Sequence, residues 1–458
     1  MRSLHIMNRT LILINPCIYD FAAYDLWSKP LGLLSVAGSL RRWGFNVHLI
    51  DCLDVHHGGM MGKGAVKPPK RRLYGTGKFW REPVPRPSPL KDTYRPYSRY
   101  GLLPELIEQE LRKVRDPRAV LITSLMTYWY PGVTEAVSLA RKVHPGVPVI
   151  MGGIYARLCR DHATRTSGAD RVVSEPGMGP VLKALAECGI DASREPPSGT
   201  VPPYPAFDLL TRVQYVCLMT SLGCPYRCQY CASHFLQPVM LKRAPGDVVE
   251  EILYWHRDFG VRDFAFYDDA LLVDSETHAA VFLERLARRD LNLRFHTPNA
   301  LHVKEITLDM AGLMRRSGFR TIRLGLETSD ISLHRDLDGK IAVGDFERAV
   351  RNLFKAGFDR REIGAYILVG LPWQTVDSVR ETIDFVGASG VVPHLAEYSP
   401  IPHSPMWENA VKSSRYDLTS EPLFHNNTLL PCWDETKRAQ IPILKEMVSR
   451  IREKYRQP

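Results

Sequence analysis

The sequence predicts an α/β protein in which a doubly wound parallel sheet is followed by a partial barrel of six β/α units and a C-terminal helical segment. Three observations support this prediction. Strand-like and helix-like segments alternate over residues 10–190, and a second alternating series begins at residue 215. Such alternation is typical of parallel sheets covered by helices. Residues 191–208 between the two series contain five prolines and little apolar periodicity, which predicts a linker.

The first series predicts strands over residues 10–15, 46–51, 118–123, 148–151 and 170–174, with helices over 31–43, 133–144 and 181–188. The second predicts strands over 216–220, 263–267, 294–297, 321–324, 364–369 and 394–399, and a charged amphipathic helix over 436–455. We therefore expect four regions: a first domain over 1–190, the linker over 191–208, a barrel over 209–405 and a C-terminal extension over 406–458.

Composition excludes several classes of protein. The chain has 458 residues, 45% hydrophobic and 24% charged, which is inconsistent with wholesale disorder, collagen or a coiled coil. No apolar run reaches the roughly 18 residues of a membrane span. Eleven lysines and arginines against two acidic residues fall within 61–100, so this segment carries almost all of the net charge of +10. A general nucleic-acid surface is therefore not expected, and nucleic acid is an unlikely class of partner.

Three of the nine cysteines are clustered. Cys224, Cys228 and Cys231 have the spacing CxxxCxxC directly after the first predicted strand of the barrel, while the other six are scattered. Scattered cysteines in a long chain indicate reduced thiols and predict a cytoplasmic protein. Three thiolates on a tight loop can bind three irons of a [4Fe–4S] cluster and leave the fourth iron open to a small chelating molecule. The alternative is a zinc site in which His234 is a fourth ligand.

This cysteine motif, with Tyr230 before the third cysteine, resembles that of the radical S-adenosylmethionine (SAM) superfamily. The resemblance continues at Asp268-Asp269, at Gly325-Leu326-Glu327 and over residues 364–372. It implies that the second-strand carboxylates contact the SAM amine, that Glu327 reaches the ribose hydroxyls, and that Ile367 and Gly370 border the adenine. Asp268-Asp269 stands where many relatives have Gly-Gly-Glu, a departure shared by the subgroup with a cobalamin-binding first domain.

The first domain resembles a Rossmann-like cobalamin-binding domain. Three sets of loop residues, each after a predicted strand, carry this resemblance: Thr123, Ser124 and Leu125; Gly152 and Gly153; Glu175 and Gly177. Ordinary strand-to-helix turns are the alternative interpretation. Residues 54–59 match the signature that donates an axial histidine in other cobalamin proteins, but they follow the second strand and not the first. We therefore expect cobalamin without an axial histidine.

The basic segment lies in an insertion, residues 55–100, that interrupts the predicted sheet. Its prolines predict an absence of regular structure. It could contact the corrin, cap the active site, bind an anionic or peptide substrate, bind RNA, or wrap over the barrel. His296, Asn299 and His394 near strand ends, and residues 398–407, are further candidates for the substrate cavity, with barrel packing as the alternative for the histidines.

The resemblance implies a cobalamin-dependent radical SAM enzyme, similar to the class B methyltransferases, that methylates an unactivated carbon. Its cofactors would be a [4Fe–4S] cluster, SAM and cobalamin, and its electron donor a protein such as flavodoxin or ferredoxin. The substrate would be a peptide or protein side chain or a natural-product precursor. Two alternatives remain at this point: cyclisation or rearrangement with the same cofactors, and a non-catalytic cobalamin or Fe–S sensor.

Overall fold

The structure is a computed structural model, and it describes residues 9–61, 68–192 and 204–455. The chain divides into two compact units. One comprises Met1–Val213 together with Ser420–Leu423, and the other comprises Gln214–Thr419 with Phe424–Pro458. Most of the predicted linker, residues 193–203, lies outside the described residues.

The first unit is built on a five-stranded parallel sheet, as predicted. Its strands, numbered in chain order, are β1 (Thr10–Asn15), β2 (Asn46–Asp51), β3 (Ala119–Ile122), β4 (Val149–Met151) and β5 (Arg171–Val172). They lie in the order β5-β4-β3-β1-β2. The order reverses between β1 and β3, and in such sheets the crevice outside the carboxyl ends at this point is the usual ligand site.

Helices cover both faces of this sheet. The main ones are Leu31–Arg42, Pro104–Lys113, Tyr130–Val143, Ile154–Leu158, Arg160–Thr166 and Met178–Glu187. Alternate side chains of β1 enter two different cores, with Ile12 and Ile14 in one and Leu11 and Leu13 in the other, and all four are fully buried. Burial on both faces explains why β1 is a continuous apolar run.

The insertion corrects one prediction, because its prolines do not exclude regular structure. Ser98–Tyr100 pairs antiparallel with both Ile18–Asp20 and Arg81–Pro83, and Gly77–Lys78 pairs with Tyr24–Asp25. Pro83 is tolerated because Arg81–Pro83 is an edge strand, where a missing N–H leaves no neighbour unpaired. Phe79, Trp80 and Tyr100 are buried in the core of the first unit, so the described part of the insertion is integral to that unit.

The second unit contains a six-stranded parallel sheet with intervening helices. The strands are β6 (Val216–Leu218), β7 (Asp263–Phe266), β8 (Arg294–His296), β9 (Phe319–Glu327), β10 (Ile363–Val369) and β11 (Val392–Glu397), in that spatial order. A short strand, Leu301–His302, also pairs with β9. The helices between the strands include Pro245–Phe259, Ala279–Ala287, Leu308–Ser317, Ile331–Leu337, Asp345–Lys355 and Val376–Ala388.

The C-terminal region is helical, with Trp407–Ser413, Glu435–Arg438 and Ile441–Lys454. The α/β class and the order of the parts are therefore as predicted. Among the described residues, no helix has the length and apolar character needed to cross a bilayer.

The two faces of the second sheet differ in chemistry. One face is aromatic and aliphatic: Phe266 contacts Phe295, Phe319 and, from the helix Ala279–Ala287, Phe282. The opposite face is polar, because strand residues alternate between faces. It carries, from β7 to β11, Asp263, His296, Thr321, Arg323, Tyr366 and His394. On β9 a register shift pairs Phe319 with Phe295 but Thr321 with His296, so Thr321 lies on the face opposite Phe319.

Candidate functional site

The cysteine loop begins at a glycine that the backbone requires. Gly223 has a φ of +79°, and a Cβ there would lie 2.9 Å from the Val239 carbonyl oxygen. The loop leaves Cys228 buried and Cys224 and Cys231 partly buried. Cys228 and Cys231 border a cavity of about 380 Å³, whose other lining residues are Tyr226, Arg227, His234, Phe235, Pro238, His403 and Pro405. The loop therefore presents thiols to an open space.

The chemistry of these residues fits an iron–sulfur cluster. Burial raises the pKa of the Cys224 thiol, and it raises that of Cys228 to about 11. Thiolates of such buried cysteines need positive charge nearby, whether from iron or from a side chain. Within the described ranges, no three His, Cys, Asp or Glu side chains are gathered as around one metal ion. In a [4Fe–4S] cube each thiolate binds a different iron, so three cysteines on one loop can supply three protein ligands.

A buried network links the cysteine loop to Glu327. The Lys340 ammonium donates to the Tyr230 hydroxyl at 3.1 Å, and that hydroxyl donates to Glu327 Oε1 at 2.9 Å. Lys340 also interacts with the Cys228 thiol, and its charge opposes the effect of burial on the pKa of that thiol. Burial by itself would lower the pKa of Lys340, but Glu327, Cys228 and Asp338 raise it well above its usual range. Lys340 is therefore a charged group placed between the cysteines and Glu327.

The turn that carries Lys340 is fixed by a histidine–aspartate pair. Asp338 Oδ1 lies 3.2 Å from His334 Nδ1 and accepts the Lys340 backbone N–H at 3.0 Å. The other ring nitrogen of His334 lies 2.8 Å from the Thr328 carbonyl oxygen, one residue beyond Glu327. Lys340, Asp338 and His334 belong to no motif with a recognisable spacing, so the sequence alone does not mark them as site residues.

Glu327 has an unusual backbone conformation. Its φ is +66°, and the register between β9 and β10 shifts between Gly325 and Glu327. This shift places Glu327 opposite Ile367, which is fully buried. Burial raises the pKa of Glu327, while the charge of Lys340 and the hydrogen bond from Tyr230 lower it. Gly370 follows β10 with a φ of +102°, and its N–H donates to Gln374 Oε1 at 2.9 Å.

The two adjacent aspartates after β7 have different surroundings. Asp268 is buried, and its carboxylate accepts hydrogen bonds from the backbone N–H groups and hydroxyls of Thr220 and Ser221 at 2.6–3.1 Å. Asp269 instead accepts a hydrogen bond from the Ser233 hydroxyl at 2.9 Å, and the Ser233 N–H donates to Cys231 Sγ. Asp268 therefore fixes the end of β6, and Asp269 lies beside the cysteine loop.

The histidine His302 lies near the same loop. Its ring contacts Tyr226 edge-to-face with centroids 4.7 Å apart, and burial together with the charge of Lys340 lowers its pKa from 6.5 to about 4. Since the unfolded chain takes up this proton at a higher pH than the folded one, the second unit is expected to lose stability as the pH falls from 6.5 toward 4. His302→Gln should reduce this loss, measured by urea unfolding at pH 7, 6 and 5. The exposed His48→Gln is the control, and an unchanged slope in His302→Gln would contradict the prediction.

The predicted loops of the first unit lie together at one edge of its sheet. They follow β3, β4 and β5, which are spatial neighbours, so their strands end at the same carboxyl edge. Thr123 and Leu125 border a small cavity of about 20 Å³ together with Asn15, the last residue of β1, and Cys17 in the loop that follows. The Ser124 hydroxyl is buried and donates to the Gly152 carbonyl oxygen at 2.7 Å. Glu175 and Gly177 are exposed.

Gly152 and Gly153 have different structural constraints. Gly153 has φ +103° and ψ −169°, a region available essentially only to glycine, and a Cβ there would lie 2.2 Å from the Ser124 carbonyl oxygen. A Cβ on Gly152 would meet its nearest neighbour at 3.7 Å, an ordinary contact. We expect Gly153→Ala to lower the free energy of unfolding of the first unit by about 1–3 kcal/mol. Gly152→Ala, the matched control, should unfold like the unchanged chain in urea. Equal effects of the two substitutions would contradict this assignment.

The axial-histidine signature over residues 54–59 has its histidine at His56, and the adjacent His57 makes local contacts. His57 Nε2 lies 3.0 Å from Glu110 Oε1, and His57 Nδ1 accepts the Gly59 N–H at 3.2 Å. Asp54 accepts the His56 N–H and the Thr211 hydroxyl. Both ring nitrogens of His57 therefore have protein partners.

Comparisons with known proteins agree with this architecture. The model of the radical SAM superfamily matches residues 218–386. The chain is 24% identical to an uncharacterized methyltransferase of Pyrococcus horikoshii, with 69% of this chain and 74% of that protein covered. It is 20% identical to the cytidylyl-2-hydroxyethylphosphonate methyltransferase of Streptomyces wedmorensis, with 83% and 77% covered.

Solved structures of the radical SAM methyltransferase TsrM from Kitasatospora setae have a similar fold. The complex with tryptophan substrate and a SAM analogue has a TM-score of 0.65 at 16% identity, covering 97% of this chain and 89% of TsrM. The complex with cobalamin and a [4Fe–4S] cluster has a TM-score of 0.62 at 17% identity, covering 90% and 76%. At these identities the likeness shows the fold. Together with the family match, it leads to one conclusion: residues 218–386 are a domain of the radical SAM superfamily.

Proposed function

We propose that the chain is a cobalamin-dependent radical SAM methyltransferase that methylates an unactivated carbon of a peptide, a protein side chain or a natural-product precursor. The observation that carries the proposal is the buried path from the cysteine loop through Lys340 and Tyr230 to Glu327. It joins a thiol site for a cluster, after β6, to a carboxylate at the end of β9. The methyltransferase names of the relatives support the choice of reaction.

The proposed roles of the barrel residues follow from their chemistry. Cys224, Cys228 and Cys231 would bind three irons, and Lys340 would balance the negative charge of the thiolates. Asp269, beside the loop, is the better acceptor for the SAM ammonium, because the carboxylate of Asp268 is engaged by Thr220 and Ser221.

The nucleoside of SAM would lie against the neighbouring strands β9 and β10. Glu327 would accept hydrogen bonds from the ribose hydroxyls. Tyr230 would hold the Glu327 carboxylate in place, since its hydroxyl donates to Oε1. Ile367 and Gly370 would border the adenine, on the strand opposite Glu327.

Cobalamin would lie at the carboxyl edge of the first sheet. Thr123 and Leu125 border the cavity at the reversal of strand order, with the Ser124 hydroxyl holding their loop against Gly152, and Gly152 offers a backbone surface that a planar ligand can approach. Glu175, Gly177 and Gly153 would shape the neighbouring loops. Because the signature histidine, His56, follows the second strand and not the first, we propose that cobalamin has no axial histidine.

The residues named above would hold a [4Fe–4S] cluster, SAM and cobalamin, and these groups would supply the electron for SAM cleavage and a carrier for the methyl group. The protein's part is to hold these groups and the substrate in line and to exclude water.

The test is anaerobic reconstitution of the full chain with iron, sulfide and cobalamin. We expect four ions of iron per chain in a cluster, retention of cobalamin after gel filtration, and formation of 5′-deoxyadenosine when SAM and reduced flavodoxin are added. Retention of both cofactors without any 5′-deoxyadenosine would contradict the enzymatic proposal and favour a sensor. With candidate substrates, a product one methylene unit heavier distinguishes methylation from cyclisation or rearrangement.

A further inference from the structure

The polar face of the second sheet contains an arginine without a carboxylate partner. Arg323 on β9 is in register with Gly364 on β10, and Tyr366 on β10 is in register with His394 on β11. The three side chains therefore lie on one face of three neighbouring strands. Each side chain is partly buried, so each keeps some contact with solvent.

The charge of Arg323 has no counter-ion among the described residues. Its Nη1 donates to the Ile322 carbonyl oxygen at 2.9 Å, and the guanidinium interacts with the Tyr366 hydroxyl. The one other charge that acts on it is Arg452, which has the same sign, and burial lowers the pKa of Arg323. Removing a charge from water without a partner is unfavourable. By contrast, Arg294 on β8 has a carboxylate partner, because it donates two hydrogen bonds to Asp263 on β7.

His394 adds a hydrogen-bonding group beside this charge. Its ring lies edge-to-face with Tyr366, with centroids 6.0 Å apart, and within the described ranges no protein group hydrogen-bonds to its ring nitrogens. Burial and the charges of Arg323 and Arg452 lower its pKa to about 3, so the ring is neutral and offers one N–H donor.

Because Gly364 has no side chain, the His394 ring and Arg323 can both approach the β10 backbone there. A Cβ at this position would lie 2.6 Å from the His394 ring and 3.3 Å from Arg323 Nη1. A guanidinium is a planar fork of donors that matches the oxygens of carboxylate and phosphate groups. The arrangement thus brings a cation and a neutral donor together over one glycine.

We propose that Arg323 and His394 form an anion subsite that binds a carboxylate or phosphate-type group of the methyl-accepting substrate. Arg323 precedes Glu327 by four residues on β9, which at 3.3 Å per residue is roughly 13 Å along the strand. A substrate held by its anionic end at Arg323 can therefore extend toward the carboxyl edge where Glu327 and the cysteine loop lie. This inference rests on the proposed function in one respect: it identifies the bound anion as part of the methyl-accepting substrate.

The test uses the full chain, purified anaerobically, with inorganic phosphate and sodium acetate as probes against sodium chloride at equal ionic strength. We expect phosphate to raise the Tm of the second unit by roughly 2–4 °C, because a ligand that binds only the folded state stabilises it. Arg323→Met should lose this shift, and its affinity for phosphate by calorimetry should fall by about tenfold or more. Its Tm without phosphate should exceed that of the unchanged chain, since an uncompensated charge has been removed.

Two further variants complete the design. The exposed Arg316→Met, which removes one positive charge elsewhere, should keep the phosphate shift. Arg323→Lys keeps the charge without the fork and should retain a smaller shift; it also serves if Arg323→Met does not fold. A response to acetate as well as phosphate assigns a carboxylate-compatible site, and a response to phosphate alone assigns a phosphate-type group.

Equal phosphate shifts in the unchanged chain, Arg323→Met and Arg323→Lys would overturn the subsite. This outcome is distinct from failure of the proposed function, because iron binding and 5′-deoxyadenosine formation by the unchanged chain are measured separately. A chain that shows the Arg323-dependent shift but binds no iron would retain the anion site and lose the radical SAM assignment.

Discussion

Cys228→Ala is expected to abolish cluster assembly and, with it, all cleavage of SAM. Cys228 is the buried member of the three cysteines, and its sulfur is the one that Lys340 approaches. Without that thiolate one iron of the cube loses its protein ligand, and the cluster is left with two. Iron and sulfide per chain after anaerobic reconstitution, and 5′-deoxyadenosine by mass spectrometry, measure the effect.

The control for this substitution is Cys188→Ala, in a partly buried cysteine of the first unit. It should retain full iron content and full SAM cleavage. Circular dichroism of both variants separates loss of the cluster from loss of the fold. If Cys228→Ala kept a cluster and cleaved SAM at the original rate, the metal site would have to be sought elsewhere.

Lys340→Met is expected to have two large effects. Without the cluster, the buried carboxylates of Glu327 and Asp338 would lose their shared cation, and the free energy of unfolding of the second unit should fall by about 3–5 kcal/mol. In the protein that contains the cluster, loss of a positive charge beside Cys228 makes one-electron reduction of the cluster less favourable. The midpoint potential should therefore become more negative by on the order of 60 mV, a tenfold change for one electron. Urea unfolding and an EPR-monitored redox titration measure the two effects.

Lys340→Arg keeps the charge and should keep most of both properties, while the exposed Lys412→Met should match the unchanged chain. A cluster potential that is the same in Lys340→Met and in the unchanged chain would show that this ammonium does not act on the cluster. The unfolding measurement would still report whether it neutralises the carboxylates.

The parts of this fold that could be predicted are those with a local signal. The strands β1 and β2 are predicted to the residue. β1 is a short apolar run because it is buried on both faces of the sheet, whereas β2, at the sheet edge, mixes exposed and buried residues. The sequence identifies the cysteine loop by spacing alone. The order of the motifs also shows that Glu327 lies on a later strand than the cysteines. It does not show that the Tyr230 hydroxyl donates a hydrogen bond to the Glu327 carboxylate.

The parts that could not be predicted depend on long-range packing. Lys340 is a single lysine beyond β9, and only the folded chain shows that it meets Cys228 and Glu327. Asp268 and Asp269 are indistinguishable in the sequence, yet adjacent residues at a strand end point in different directions. Asp268 meets Thr220 and Ser221 after β6, while Asp269 faces Ser233. The prolines of the insertion predict irregular structure. Proline is nevertheless tolerated in an edge strand, and whether a strand lies at an edge depends on the folded sheet.

The left-handed backbone of Glu327 has a consequence for how this position tolerates change. A residue with a Cβ in that conformation is disfavoured by roughly 1–2 kcal/mol relative to glycine. If codon 327 were randomised and the library sorted only for resistance to heat, glycine and asparagine should be enriched. Sorting the same library for turnover should return glutamate. The difference in residue frequencies at position 327 between the two pools would measure how far selection for activity and selection for thermal stability conflict at this position.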